Sequence, residues 1–297
     1  MDSVTVRVPA STANLGSGFD CIGMAFQLYT TIKLTKANRT SIDLIGENLE
    51  GIAADKSNLV YKVAALLFQR AGMEVPELEI EIQSDIPLTR GLGSSASAII
   101  GSLVASNSLA GTPFDREEIY KIATELEGHP DNVGASLFGG IVIAAWDSDK
   151  VSYIRVQPPR LKAVVAIPNF ELSTKEAREV LPTSYSSKDA VKAISHSALL
   201  AASLVSGDVS VLSKAMEDVI HQPYRMHLIP GMKELLSNSK HFGALGIALS
   251  GAGPTIIGFT ENDEERLKNY MVDVFLKNEV PVTIRTLLPD HDGVCIL

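Results

Sequence analysis

The sequence predicts an α+β protein of two domains. Three observations carry this reading: strand-like and helix-like apolar patterns alternate along all 297 residues, a proline pair divides them, and a glycine-serine loop precedes an apolar helix. With 45% apolar residues, the chain supplies cores for two domains of ordinary size.

Residues 4–8, 28–34 and 41–45 read as strands, and 59–71 show helical apolar spacing stopped by Gly72. Leu78-Glu79-Ile80-Glu81-Ile82 alternates apolar and acidic, as a half-exposed strand does. A helix is expected over 98–109 and another over 115–126, with Asp115 as its N-cap. Gly139-Gly140 breaks the pattern before a strand at 141–145. The prolines of Val156-Gln157-Pro158-Pro159-Arg160 favour an extended connection, so the domains are drawn at 1–157 and 158–297. The second half begins with a buried-type strand at 163–167 and continues in helices from 174 to about 240. Strands at 247–249, 256–259 and 282–286, with a helix at 264–276, complete it. There is no internal repeat and no low-complexity tract.

Lys and Arg number 26 against 35 Asp and Glu, a net charge of −9. That balance argues against nonspecific binding to nucleic acid or an anionic membrane. An anionic ligand must therefore be held by local donors against the overall field. Cys21 and Cys295 offer neither a disulfide framework nor zinc spacing, and reduced thiols are expected. Met1-Asp2-Ser3-Val4-Thr5 lacks the features of a signal peptide, and the apolar stretches 98–104 and 198–205 are too short or interrupted to span a bilayer. A cytoplasmic protein is the expectation.

The most informative segment is Ile86-Pro87-Leu88-Thr89-Arg90-Gly91-Leu92-Gly93-Ser94-Ser95-Ala96-Ser97. A helix start leaves N–H groups unpaired, and its dipole favours negative charge. Gly91 and Gly93 let the backbone approach an anion or take positive φ. The physical reading is a phosphate cradle, in which a side chain at 93 would either meet the anion or forbid the backbone conformation the cradle needs, while the protein stays folded. A plain turn is the bland alternative. Gly91-x-Gly93-x-x-Ala96 also fits the loose dinucleotide fingerprint of a nicotinamide-dependent oxidoreductase, but residues 84–87 interrupt the strand that motif needs. A P-loop needs a Lys after the last glycine, and none follows.

Two further segments stand beside it: Val8-Pro9-Ala10-Ser11-Thr12-Ala13-Asn14-Leu15-Gly16-Ser17-Gly18-Phe19-Asp20-Cys21-Ile22-Gly23, and Ala248-Leu249-Ser250-Gly251-Ala252-Gly253-Pro254-Thr255. In order and separation the trio resembles the three motifs of the GHMP small-molecule kinases, over nearly the whole chain. Mevalonate kinases usually carry a Lys where Ser11 stands here. Asn14 to Asp20, Glu127-Gly128-His129-Pro130-Asp131-Asn132-Val133, Thr174 to Pro182 and His221-Gln222-Pro223-Tyr224-Arg225 are instead similar to homoserine kinases.

The resemblance implies a ribosomal protein S5 domain 2-like N-terminal domain and a ferredoxin-like C-terminal one. It implies ATP-dependent phosphorylation of L-homoserine on the way to threonine, with Mg²⁺ between Ser95 and Glu127. Pro87, Leu88, Thr89, Arg90, Gly91, Leu92, Gly93, Ser94, Ser95, Ala96 and Ser97 would cradle the nucleotide. Arg178 and Arg225 would hold the substrate carboxylate, and Asn14, Asp20, His129 and Asp131 would line its amino and hydroxyl side, with Thr174 and Gly251 nearby. Arginine matches a carboxylate in bidentate fashion, and carboxylates and amide oxygens receive an ammonium.

Each residue has a dull alternative: Ser95 as an N-cap, Glu127 as a solvated carboxylate, Arg178 as a surface helix arginine, Asp20 as turn chemistry and His129 as a loop cap. No dedicated general base is expected, with His129 and Asp131 the residues to test. His196, His221, His227, His241 and His291 offer no metal triad and receive no role. A GHMP kinase for another alcohol, or a catalytically silent GHMP-fold binding protein, are the competing readings. A homodimer is one option for the assembly.

Overall fold

The computed structural model describes residues 2–46 and 49–297; Met1, part of the opening segment read above, lies outside them. Two sheets with helices on their outer faces carry the fold. In chain order the first half runs β1 (Ser3–Asn14), β2 (Gly18–Ala37), β3 (Ser41–Ile45), α1 (Leu59–Arg70), β4 (Glu77–Ser84), α2 (Ser94–Leu109), α3 (Arg116–Glu127), α4 (Asp131–Phe138), β5 (Ile141–Trp146) and β6 (Val151–Val156). The second half runs β7 (Lys162–Pro168), α5 (Thr174–Glu179), α6 (Ser187–Ser206), α7 (Leu212–Ala215), α8 (Gln222–Arg225), α9 (Met232–Asn238), β8 (Gly246–Leu249), β9 (Ile256–Thr260), α10 (Glu264–Lys277), β10 (Val282–Leu287) and β11 (Cys295–Ile296).

The first sheet is ordered β11-β1-β2-β4-β3, with β5 joining β2 and β6 joining β5. β2 holds it together: Thr30–Ala37 pair with β4, and Ile22–Met24 pair with β5. A register shift between Pro9 and Ala10 opposite β2 separates those two regions. The second sheet is antiparallel in the order β10-β7-β9-β8, which is the 4-1-3-2 order of a ferredoxin-like βαββαβ unit.

Three apolar layers follow from strand alternation. Val6, Ile32 and Ile80 meet Leu67 of α1, Ile100 and Leu103 of α2 and Ile119 of α3. Phe26 and Ile141 of the first sheet meet Val165 and Ile257 of the second, together with Leu200 and Leu204 of α6. Val164, Ala166 and Ile256 take the opposite face of the second sheet, against Met271 and Phe275 of α10. β7 is thus buried on both faces, as its run Ala163-Val164-Val165-Ala166-Ile167 foretells. The middle layer is a shared core and holds the two halves in register.

Several boundaries differ from the sequence reading. α2 begins at Ser94 rather than 98, because Gly93 adopts φ 72° at its N-cap and the loop's serines become the first helical turn. α4 escapes a periodicity reading, since Asp131, Asn132 and Gly134 are weak helix formers and the segment is buried all round. β6 lacks clean alternation, and β11 spans only Cys295–Ile296. Residues 288–297, which a division at 157/158 assigns to the second domain, run back along the first sheet. The N–H of Gln27 donates to Leu288 O at 2.9 Å, Asp290 N–H to Ala25 O at 2.9 Å, and Val6 faces Ile296. Both cysteines are free. Among the described residues no helix is long and apolar enough to cross a membrane.

The close approach of β2 to α4 is a tight constraint on the site. A Cβ placed on Gly23 would lie 2.1 Å from Asp131 O, with backbone on both sides. Gly23→Ala should therefore lower the unfolding free energy by about 1–3 kcal/mol, as overpacking does. Chemical denaturation checks this, and an unchanged midpoint would contradict the contact.

Candidate active site

The β1–β2 turn, the loop before α2, the α3–α4 junction, α5, α8 and the β8–β9 turn converge on one open cleft of about 710 Å³. Asn14, Asp20, His129, Asp131, Thr174, Arg178, Arg225 and Gly251 all line it, as do Ser95 and Glu127. Of the phosphate loop, Thr89, Gly91, Gly93, Ser94 and Ser95 face the same space.

The rest of that loop does other work. Leu92, Ala96 and Ser97 are buried, because their spacing turns them from the cleft toward the core. The Ser97 hydroxyl donates to Ser94 O at 2.9 Å, so it is not available to a phosphate. The Arg90 guanidinium bonds Leu88 O and Thr89 Oγ1 and pairs with Glu171 at 3.6 Å, outside the cleft lining. Pro87 also lies outside that lining, and Leu88 turns into a second, largely apolar hollow of about 760 Å³ that shares Thr89, Ser94 and Ser95. A Cβ on Gly93 would lie 2.2 Å from Ser11 Oγ and 3.0 Å from Ser11 O. That corrects the expectation for position 93: a side chain there strikes β1, so the loop's packing suffers before any anion is met.

α2 has no side-chain cap, so the N–H groups of its first turn remain for an anion. Ser95, one of those residues, is not the N-cap; its hydroxyl donates to Glu127 Oε2 at 3.0 Å. Glu127 ends α3, whose start is fixed by the Asp115–Glu118 capping box. Burial raises the Glu127 carboxyl above its ordinary value, with His129 and the Ser95 hydroxyl opposing that rise.

Arg178 and Asp20 face one another as a bidentate pair, with bonds of 3.0 and 2.8 Å. The sequence reading assigned one to a carboxylate and the other to an ammonium; in this structure each neutralises the other. Asp20 has φ 54°, and its N–H is held by Asn14 Oδ1 at 3.0 Å. Asn14 spends its amide on Gly251 O at 2.9 Å, so its side chain braces the cleft wall. Gly251, at φ 55°, lies in the tight Ser250–Thr255 connection between β8 and β9.

His129 Nδ1 lies 2.6 Å from Asp131 Oδ1. Burial alone would pull this imidazole down, but the hydrogen bond and charge of Asp131, with Glu127 and Asp20 adding to them, raise it to about 9. Among the described residues nothing bonds the buried Asp131 Oδ2. Asp20, His129 and Asp131 bring ligand atoms within 4.8 Å of one another, yet a protonated imidazole and a carboxylate already bound to Arg178 make a poor metal set.

Arg225 is the most buried cation, 2% exposed. It donates to Ala177 O, His221 Nδ1 and Gly251 O, all neutral acceptors, with no carboxylate at ion-pair distance among the described residues. Burial lowers it to about 10, and Arg178 adds to the effect. Phe19 was missed by the sequence reading, although it stands inside the first motif. Its ring lies beside both guanidinium groups, at 5.5 Å for Arg178 and 5.4 Å for Arg225.

Models of the GHMP kinases N terminal domain and GHMP kinases C terminal match residues 58–140 and 200–275. The chain is 46% identical over 295 residues to a homoserine kinase of Deinococcus radiodurans, covering 98% of this chain and 96% of that protein. The chain belongs to the homoserine kinase family of GHMP kinases. A homoserine kinase of Moorella thermoacetica is 41% identical, with 98% of this chain and 99% of that protein covered. The crystal structure of homoserine kinase from Cytophaga hutchinsonii superposes with a TM-score of 0.89 at 27% identity, over 100% of this chain and 98% of that one. A mevalonate kinase structure at 19% identity and a TM-score of 0.68, covering 97% and 99%, shares the GHMP kinase fold.

The raised His129 value sets a pH dependence. A folded-state value above the unfolded one stabilises fully below the unfolded value, and the gain is lost as pH climbs through the folded value. The stability advantage of wild type over His129→Gln should be largest below about pH 6.5 and shrink by about 3 kcal/mol as pH passes about 9. Denaturant titrations of both proteins across that range measure it, and a constant difference would contradict the assignment.

Proposed function

We propose that this chain transfers the terminal phosphoryl group of ATP to the side-chain hydroxyl of L-homoserine, giving ADP and O-phospho-L-homoserine. The observation that carries the reading is Arg225, a buried cation without a carboxylate, facing the same cleft as an uncapped helix start. An uncompensated buried charge is costly, and a bound α-carboxylate offsets that cost. The N–H groups of Ser94, Ser95 and Ala96 suit the phosphates, and the apolar hollow beside Leu88 suits the adenine. Asp131 Oδ2 suits the α-ammonium; Arg178 and Asp20, paired with each other in this structure, would exchange that bond on binding, Asp20 for the ammonium and Arg178 for the carboxylate.

Ser95 and Glu127 fit Mg²⁺: two hard oxygens 3.0 Å apart at the end of the phosphate loop, one a half-buried carboxylate whose hydrogen-bond partner is a hydroxyl. A divalent cation held there would offset charge on the phosphates. The homoserine hydroxyl oxygen gains its bond to the γ-phosphorus as the bond from that phosphorus to the ADP oxygen breaks, and the hydroxyl proton leaves to the phosphate or solvent. His129, raised to about 9, is a cation at neutral pH and serves as a donor, so no dedicated base is assigned. The wider setting proposed is a cytoplasmic step toward threonine, with a homodimer as the assembly to test by sedimentation.

ADP release measured across homoserine, mevalonate and galactose tests the acceptor, with homoserine expected to be best by a wide margin. A flat profile, or preference for a sugar, would overturn the reading. Arg225→Ala and Arg178→Ala each remove a charge-assisted contact worth about 1.5–3 kcal/mol, a loss of roughly ten- to a hundredfold in kcat/KM for homoserine. Glu127→Gln should lower kcat and raise the Mg²⁺ concentration for half-activity, because an anionic ligand becomes a neutral amide. A normal Mg²⁺ titration of a folded variant would place the metal elsewhere.

A further inference from the structure

His221 lies outside the cleft lining, is fully buried, and has both ring nitrogens engaged. Arg225 Nη1 lies 3.1 Å from Nδ1, and Gly16 O lies 2.9 Å from Nε2. Guanidinium nitrogens only donate and carbonyl oxygens only accept. These two partners therefore fix one tautomer, with a bare Nδ1 toward Arg225 and the proton on Nε2. The Asp218 carboxylate lies farther from Nε2, at 3.5 Å, and takes the backbone N–H groups of His221 and Gln222.

The surroundings hold this ring in place. Phe19 stacks on it with centroids 4.9 Å apart at 21°. The accepting carbonyl belongs to Gly16, where a Cβ would lie 2.0 Å from Met216 O, so that turn packs directly on the Met216 backbone. His221 and Arg225 are four residues apart, one turn of chain, and share a face. Together with Ala177 O on Nε and Gly251 O on Nη1, the imidazole turns the Arg225 fork toward the cleft.

We propose that His221 is a positioning residue for acceptor recognition: its unprotonated Nδ1 aims the Arg225 guanidinium at the substrate carboxylate. The proposal rests on the reading of Arg225 as the carboxylate site. It predicts an effect on carboxylate recognition that a merely structural histidine would not produce.

Two substitutions divide the ring's contacts. His221→Asn keeps an acceptor near the Nδ1 position and loses the Gly16 contact; His221→Gln keeps a donor near Nε2 and loses the acceptor for Arg225. His221→Gln should raise KM for homoserine about tenfold, with kcat and KM for ATP within about twofold, while His221→Asn stays within about threefold. With aminopropanol, which lacks the carboxylate, wild type and His221→Gln should have equal kcat/KM. An equal loss with aminopropanol, or an equal rise in KM for ATP, would overturn the proposal. Nitrogen NMR of the ring tautomer in the wild-type chain tests it without any variant; a proton on Nδ1 would overturn it. If Arg225→Ala leaves homoserine KM unchanged, the underlying carboxylate reading fails, a result distinct from failure of the His221 variants alone.

Discussion

A set of short buried contacts between three distant chain segments holds the site together. Thr12 Oγ1 lies 2.7 Å from Ser250 Oγ, which donates to Gly91 O at 2.6 Å. Ser11 N–H donates to Leu92 O, and Gly251 N–H to Ala13 O, each at 3.1 Å. Segments more than 200 residues apart in sequence are thus joined through hydroxyls and backbone, with no long side chain between them. The absence of a Cβ at 91 and 93 follows from this. One placed on Gly91 would lie 2.3 Å from Ser250 O, and one on Gly93 would strike Ser11. The glycines serve the mutual approach of the three motifs, and the anion-ready helix start is its consequence.

Charge is arranged on that frame so that little is left uncompensated. Arg178 and Asp20 neutralise each other, His129 and Asp131 do the same, and Glu127 is hydrogen-bonded by Ser95. Arg225 and Asp131 Oδ2 are the exceptions, a guanidinium without a carboxylate and a carboxylate oxygen without a donor in one cleft. Together they complement a zwitterion. A protein of net charge −9 can bind an anionic nucleotide and an amino acid in this way, because the relevant field is set within a few ångströms and not by the total.

Much of this was legible in the sequence, for identifiable reasons. Leu78 to Ile82 announces β4 by alternation, and Asp115 with Glu118 announces the start of α3 by capping chemistry. The three motifs mark the cleft because their glycines and hydroxyls are rare in combination. Less legible were features decided by tertiary contact. α4 has weak propensity and is stabilised by burial. Ser97 looks like a phosphate ligand until helical phase turns it toward Ser94 O. Asn14 looks like a substrate contact until Gly251 claims its amide. His221 stands in a motif four residues before Arg225, but its second partner, Gly16, is 205 residues away, so the role of its ring does not show in one dimension. Phe19 was within reach: an aromatic residue in a motif that must gather two arginines is a natural ring for them to lie against.

The central claim is that Arg225 and the first turn of α2 hold the two ends of one reaction. A crystal structure with homoserine, Mg²⁺ and a nonhydrolysable ATP analogue tests it most directly. The account predicts the homoserine carboxylate on Arg225, its hydroxyl turned toward the phosphates, and those phosphates on the N–H groups of Ser94 to Ala96. A carboxylate bound away from Arg225, or phosphates away from the start of α2, would contradict it.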